Sequence, residues 1–242
     1  MKIGFLTSNH LPEARGGTEQ VTAALEREFG ARGVEVVVIT SSDVPDSPIE
    51  HAVEQHEGVV VHRLYKRLDE WDNTGFVRPR LIGLVRELLE RERPDVLHVH
   101  STAALGTGCV AVARELGIPI VWTFHDLWTT CARYFRLPSP GVVCPSAADR
   151  LPCAECVDRE LRVGRETVAR AIAERDRRIA ADLALAAVCT APSHTAARLV
   201  RECTPYPGAI EVVPHGILRV PAPGDRVAAR LAGEPLRVGT FG

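Results

Sequence analysis

Aromatic residues are scarce in this chain, at 5% of its 242 positions, and it holds a single methionine. So thin a supply of rings argues against a base-stacking nucleic-acid surface. Neither sign of charge is in excess. The 29 Lys and Arg against 31 Asp and Glu leave a net charge of −2, which gives no pull toward a polyanion or an anionic membrane. Long hydrophobic runs are also missing. The opening MKIGFLTS has one lysine and too short an apolar stretch for a secretory signal, and LALAAVCTA is too short to span a bilayer. The cytoplasm is therefore the expected compartment. The first strand-to-helix turn lacks a G-x-G-x-x-G fingerprint, which weakens a nicotinamide oxidoreductase reading.

What is present is ordinary for a soluble globular chain: 45% hydrophobic and 25% charged residues. KIGFLTS reads as a buried strand. From Thr18 the pattern turns helical, with Val21, Leu25 and Phe29 at one spacing and Gly33 closing the unit. VEVVVITS is a second strand, rich in β-branched residues. The alternation continues through GVVVHRLY, a helix carrying Leu81, Leu84, Val85, Leu88 and Leu89, DVLHVHS, a helix over AALGTGCVAVARELG, and IPIVWTFHD. A basic helix over roughly 161–182, the strand AAVCTAPS, a helix from Ser193 and the strand IEVVP follow. The expected fold is α/β: a Rossmann-like, mostly parallel sheet with helices on both faces. Function in such a sheet belongs at the carboxyl ends of its strands.

Two segments break the rhythm. Residues 126–160 read as one long loop, and 214–235, rich in Pro and Gly, as a linker. The closing 236–242 read as the opening strand of a second domain, so 1–213 form the first domain.

Gly16 and Gly17 stand where the first loop enters a helix. They serve either a tight turn or a ligand that approaches the backbone N–H groups and the positive end of the helix dipole. Glu19 in the first turn disfavours a bare anion and suits a mixed phosphate and hydroxyl ligand. His98 and His100 share one face of a strand, with His100 near its carboxyl end, and His125 and Asp126 end the next strand. A single histidine is more often structural, but these features should converge on one edge of the sheet.

Together these stretches resemble a known family. GGTEQ is similar to its G-G-x-E loop, RPDVLHVHS to its P-D-[VI]-[VI]-H-x-H strand, and TFHD to its T-x-H-[DG] strand end. APSHTAARLV resembles its A-P-S helix start and EVVPHGI its V-[IV]-P-[NH]-G hinge. The family is glycosyltransferase family four, retaining enzymes of the GT-B fold that use nucleotide-sugar donors. The resemblance implies the amino-terminal, acceptor-side half of that fold. It implies that Gly16 and Gly17 lie against the donor diphosphate or the acceptor, that catalytic His125 contacts the transferred sugar, and that His215 and Gly216 line the hinge side of the cleft. Glu19, His100 and Asp126 complete the expected substrate-binding set. No catalytic metal is implied, and no D-x-D triplet is present. The partners implied are a nucleotide-sugar donor and a glycan, lipid-linked or small-molecule acceptor, with no nucleic acid. A carboxyl-terminal donor domain carrying an E-x7-E pair is expected as a partner, and residues 1–242 alone are not expected to transfer sugar. The other reading of the chain is a non-catalytic acceptor-binding half-module that works beside a separate donor-domain chain.

Of seven cysteines, Cys131, Cys144, Cys153 and Cys156 cluster in the long loop, while Cys109, Cys189 and Cys203 sit among apolar neighbours and read as core. The clustered four suit a structural zinc or reduced thiols equally, with disulfides third. The arginines of the basic helix alternate with acids, as on a solvated face. Membrane-peripheral contact near a lipid-linked acceptor is its second reading.

Overall fold

A computed structural model describes residues 1–44, 47–134, 136–138, 140, 144, 150–204, 206 and 208–216. The expected linker beyond Gly216 and the strand over 236–242 lie outside the described residues. Eight strands form one sheet: β1 (Lys2–Thr7), β2 (Glu35–Ser42), β3 (His51–His56), β4 (Val59–Tyr65), β5 (Val96–Val99), β6 (Ile120–Thr123), β7 (Val188–Ala191) and β8 (Ile210–Val212). Their order is β3-β4-β2-β1-β5-β6-β7-β8. Every pairing is parallel except β3 with β4. The helices are α1 (Gly17–Ala31), α2 (Pro79–Glu92), α3 (Cys109–Glu115), α4 (Leu151–Leu161), α5 (Arg165–Leu183) and α6 (His194–Cys203). The chain lays β2 on one side of β1 and later returns to place β5 on the other, so the strand order reverses between β1 and β5. That reversal opens a crevice at the carboxyl ends of the strands.

Side chains alternate across a strand, and here the alternation sorts chemistry. Ile3, Phe5, Val36, Val38 and Val61 form one apolar layer, against which Leu25 and Phe29 of α1 pack. Leu6, Ile39 and Leu64 point the other way, into the main core with Leu97, Val99, Ile120, Trp122, Cys189 and Ala191 and with side chains of α2, α3, α5 and α6. On β5 to β7 the residues between those apolar ones are His98, Val121, Thr123 and Thr190, with His100 and His125 continuing the alternation just past the strand ends. Toward the carboxyl ends of these strands the α1 face of the sheet is therefore polar.

Four expectations need correction. β3 was not foreseen, because HAVEQH lacks a β-branched run and lies at the sheet edge. It joins β4 through Glu57 and Gly58, both at positive φ, as a two-residue hairpin turn demands. The helix over AALGTGCVAVARELG shrinks to Cys109–Glu115, since Gly106 and Gly108 have φ of +88 and +95. The loop over 126–160 does not run to its end: Leu151–Leu161 is α4, with Pro152 in its first turn. The basic helix expected over roughly 161–182 starts later, as α5 at Arg165, because Arg162 in the left-handed region and Gly164 at a φ of +95 part it from α4.

On α1 the stripe Val21, Leu25 and Phe29 is half-buried, while Glu19, Thr22, Ala23 and Glu26 are its buried residues. Polar side chains thus lie buried on α1 beside Leu25 and Phe29, which pack on the sheet. The helix from Ser193 forms as expected, with Ser193 Oγ accepting from Ala196 N at 3.1 Å. Cys109, Cys189 and Cys203 are buried, as expected of core residues.

Candidate functional site

At the reversal point the ends of β1 and β5 are tied together. Ser8 Oγ lies 2.9 Å from Ser101 Oγ and accepts from Ala104 N at 2.9 Å. Beside this tie runs a row of imidazoles. The rings of His98 and His100 lie 4.0 Å apart, His100 and His125 5.0 Å, and His125 and His215 4.8 Å in a stacked pose. His100 Nδ1 is 2.8 Å from His125 Nε2, and His125 Nδ1 is 3.2 Å from His215 Nε2. His98 Nε2 bonds Thr123 Oγ1 at 2.8 Å, which in turn bonds Thr190 Oγ1 at 2.8 Å. Parallel register places these groups side by side, because His98 pairs with Val121 and Thr123 with Thr190.

Burial keeps the row uncharged. It lowers His98 to about 4 and, with the neighbouring His215 and His98, His125 to about 3, and it holds His100 well below the ordinary histidine value. A pocket of about 180 Å3 opens on this face, lined by Leu25, His98, Thr123, His125, His215 and Gly216 among others. His98, His125, His215 and Gly216 therefore share one cavity. His100 does not reach it directly: the residue is 3% exposed. His100, expected among the substrate-binding residues, lies beneath His125, with its Nδ1 2.8 Å from His125 Nε2.

The two glycines part company. Gly16 is the extended N-cap of α1. A Cβ there would lie 2.5 Å from Glu19 Oε2, so the Glu19 carboxylate folds back over Gly16. At Gly16 an added Cβ would therefore displace only the end of the Glu19 side chain, and a Cβ at Gly17 would meet nothing within 4 Å. The buried Glu19 carboxylate already complements the positive end of α1, which leaves a hydroxyl group better suited there than a phosphate. Asp126 accepts from Trp128 N at 2.7 Å. Burial raises its carboxyl against that bond and Arg175, and the charge of Glu19 adds to the rise.

One buried pair was not foreseen. His10, in the loop after β1, is wholly buried and holds Glu26 Oε1 at 2.9 Å from Nε2 and the Leu11 carbonyl at 2.9 Å from Nδ1. Its signal in the sequence is Glu26, one further heptad along the face that begins at Glu19.

The clustered cysteines meet at one cavity without forming a ligand set. Cys131, Cys144, Cys153 and Cys156 line one small cavity of about 30 Å3, with Cys153 and Cys156 on α4 rather than in an irregular loop. Guanidinium groups meet two of the sulfurs: Arg133 Nη1 lies 3.4 Å from Cys156 Sγ, and Arg150 Nη1 3.6 Å from Cys153 Sγ. Arg150 also binds Asp176, which Arg175 shares. Among the described residues, no three His, Cys, Asp or Glu side chains are arranged to hold a metal ion. None of the described helices is long and apolar enough to cross a membrane.

Known proteins are similar to this chain in sequence and in fold. The model of the Glycosyltransferase Family 4 matches residues 15–217. A GDP-mannose-dependent alpha-mannosyltransferase of Mycolicibacterium smegmatis is 35% identical over 130 residues, covering 52% of this chain and 32% of that protein. Its namesake from Mycobacterium tuberculosis is 32% identical over 127 residues, with the same coverage. The match thus spans about a third of the length of these curated relatives. Among solved structures, the apo structure of OtsA aligns at a TM-score of 0.53 and 12% identity, over 98% of this chain and 53% of that one. An alpha,alpha-trehalose-phosphate synthase (UDP-forming) of Burkholderia vietnamiensis aligns at 0.50 and 14%, over 88% and 48%. These likenesses show the fold. The family model, covering most of the chain, shows more: this chain belongs to glycosyltransferase family 4.

Proposed function

We propose that this chain is the acceptor-side part of a hexosyltransferase that moves a hexosyl unit from a nucleoside-diphosphate sugar to a glycan, lipid-linked or small-molecule acceptor. The observation that carries the reading is the pocket at the carboxyl edge of the sheet, where His125 stands with His215 and Gly216. A neutral imidazole in so dry a place suits a hydrogen bond to a sugar hydroxyl, which would orient the ring and steady developing charge. Gly17 leaves open space at the helix start, and Glu19 and Asp126 offer carboxylates of the kind that hold sugar hydroxyls. The names of the two mycobacterial relatives make GDP-mannose the first donor to test. A cytoplasmic site of action, with contact at the membrane surface when the acceptor is lipid-linked, belongs to the same proposal.

The test is sugar transfer by the chain in combination with a donor domain. His125→Ala is expected to lower kcat by roughly tenfold to a thousandfold, the range for one lost active-site hydrogen bond. An unchanged kcat with reduced thermal stability would assign His125 to the core. Binding of NAD in preference to GDP-mannose or UDP-glucose would overturn the reading altogether.

A further inference from the structure

A neutral imidazole has one N–H and one lone pair, so a hydrogen-bonded row of three can be polarised in only two ways. In the outward sense His100 donates from Nδ1 to His125 Nε2, and His125 donates from Nδ1 to His215 Nε2. In the inward sense both bonds reverse. His100 must then carry its proton on Nε2. That nitrogen is buried and has no hydrogen-bond partner among the described residues. Buried N–H groups without an acceptor are the rarer kind of unsatisfied group, whereas unmet acceptors are tolerated somewhat more often. The outward sense avoids the orphaned donor and directs every N–H toward the exposed end at His215.

The surroundings hold this arrangement in place. The His100 ring is fixed edge-on to Phe5, with centroids 4.6 Å apart, and lies against His98 at 4.0 Å. His98 Nε2 is itself held by Thr123, which Thr190 anchors in turn, so that nitrogen does not compete for those of His100. Low proton affinity along the row keeps all its rings neutral near pH 7, so no imidazolium breaks the polarity.

We propose that His100 is a positioning residue that fixes the tautomer of His125. It holds His125 as the neutral Nδ1–H form, which donates to a ligand oxygen at the place that His215 Nε2 takes in this structure. His125 then acts as a hydrogen-bond donor toward sugar and has no free lone pair with which to abstract a proton. The role toward sugar rests on the function proposed above; the tautomer does not.

Nitrogen NMR of the 15N-histidine-labelled chain reads the tautomer directly, with resonances assigned by single substitutions. In the unsubstituted chain His125 is expected to be protonated on Nδ1 and bare on Nε2. His100→Asn keeps an N–H near the position of Nδ1 and should preserve that form. His100→Leu removes the donor, and His125 should move to a mixture with the Nε2–H form. In the transfer assay His100→Leu should lower kcat by about tenfold with little change in KM, and His100→Asn should restore most of it. An Nε2–H signal for His125 in the unsubstituted chain overturns the proposal, and so does an unchanged tautomer in His100→Leu. If His100→Leu fails to fold, the unsubstituted chain and His100→Asn still decide. Loss of sugar binding with the Nδ1–H form intact would defeat the functional reading and leave the tautomer assignment standing.

Discussion

Histidines and cysteines each gather in this chain, and they gather by different means. The histidines stand on strand ends, where parallel register sets ring against ring with bonds of 2.8 and 3.2 Å. The cysteines stand on an insertion between β6 and α5, and their sulfurs share a cavity without being posed toward one another as ligands. A sheet fixes its side chains in advance, because each strand is held by two neighbours. An insertion closed by one short helix and a few arginine contacts fixes only the neighbourhood. The two clusters should also fail at opposite ends of the pH scale.

The largest expected effect is acid destabilisation. In the unfolded chain these imidazoles take up protons near 6.5; in the folded chain His98 does so only near 4 and His125 near 3. Between those values the unfolded state binds more protons, so stability is full above pH 6.5 and is lost as the pH falls. For His98 alone the difference corresponds to roughly 3 kcal/mol. Urea unfolding from pH 7 to pH 4 should show the loss, and a flat profile would break the comparison. Burial raises the Cys144 and Cys153 thiols above 9.0. Their contribution is therefore lost as the pH rises above 9.0, when the unfolded chain ionises first.

Next in size is Thr123→Val. It removes the hydroxyl between His98 and Thr190, leaving a buried nitrogen and a buried hydroxyl to find other partners. A loss of about 1–3 kcal/mol is expected in urea unfolding at pH 7. A change within a few tenths would show that the polar stripe is less fixed than its distances suggest.

The cysteine cavity should respond less. With guanidinium groups on two of its sulfurs and no three ligands in place, the chain purified without added metal is expected to hold well under one zinc. A chelator should then leave its Tm unchanged. One zinc per chain, with a Tm that falls on chelation, would reverse the comparison and make the insertion the better organised region.

The sequence made the strands and their alternation legible because period-two patterning is a local signal. From LHVH and TFHD alone, His98, His100 and His125 could be assigned to adjacent strand ends. Burial was less legible: nothing local says that His100 would be covered by Phe5 and its fellow histidines, so it was expected at the substrate. Glu26 and His10 were missed because their pairing joins a loop to a helix face that reads as polar and solvent-facing. The insertion misled for a different reason. PCAEC begins with a proline and offers few apolar anchors, yet α4 forms because Ala154 packs with Val168 and Ile172 of α5. That contact is tertiary, and no local pattern announces it.

The smallest effect on stability is expected at Gly17, and it tests whether the first turn of α1 belongs with the histidine row. A side chain there would meet nothing within 4 Å, and its φ lies outside the left-handed region. Gly17→Val should therefore leave the unfolding midpoint within about 0.5 kcal/mol of the starting chain. Gly106→Ala makes the contrast. At φ +88, with Phe76 O only 3.0 Å from the added Cβ, it should cost about 1–3 kcal/mol. If the open space beside Gly17 is where acceptor or donor approaches the backbone, Gly17→Val will abolish transfer while the fold stands. Wild-type turnover by Gly17→Val would make the glycine pair a turn and nothing more. The histidine row would then stand alone as the site.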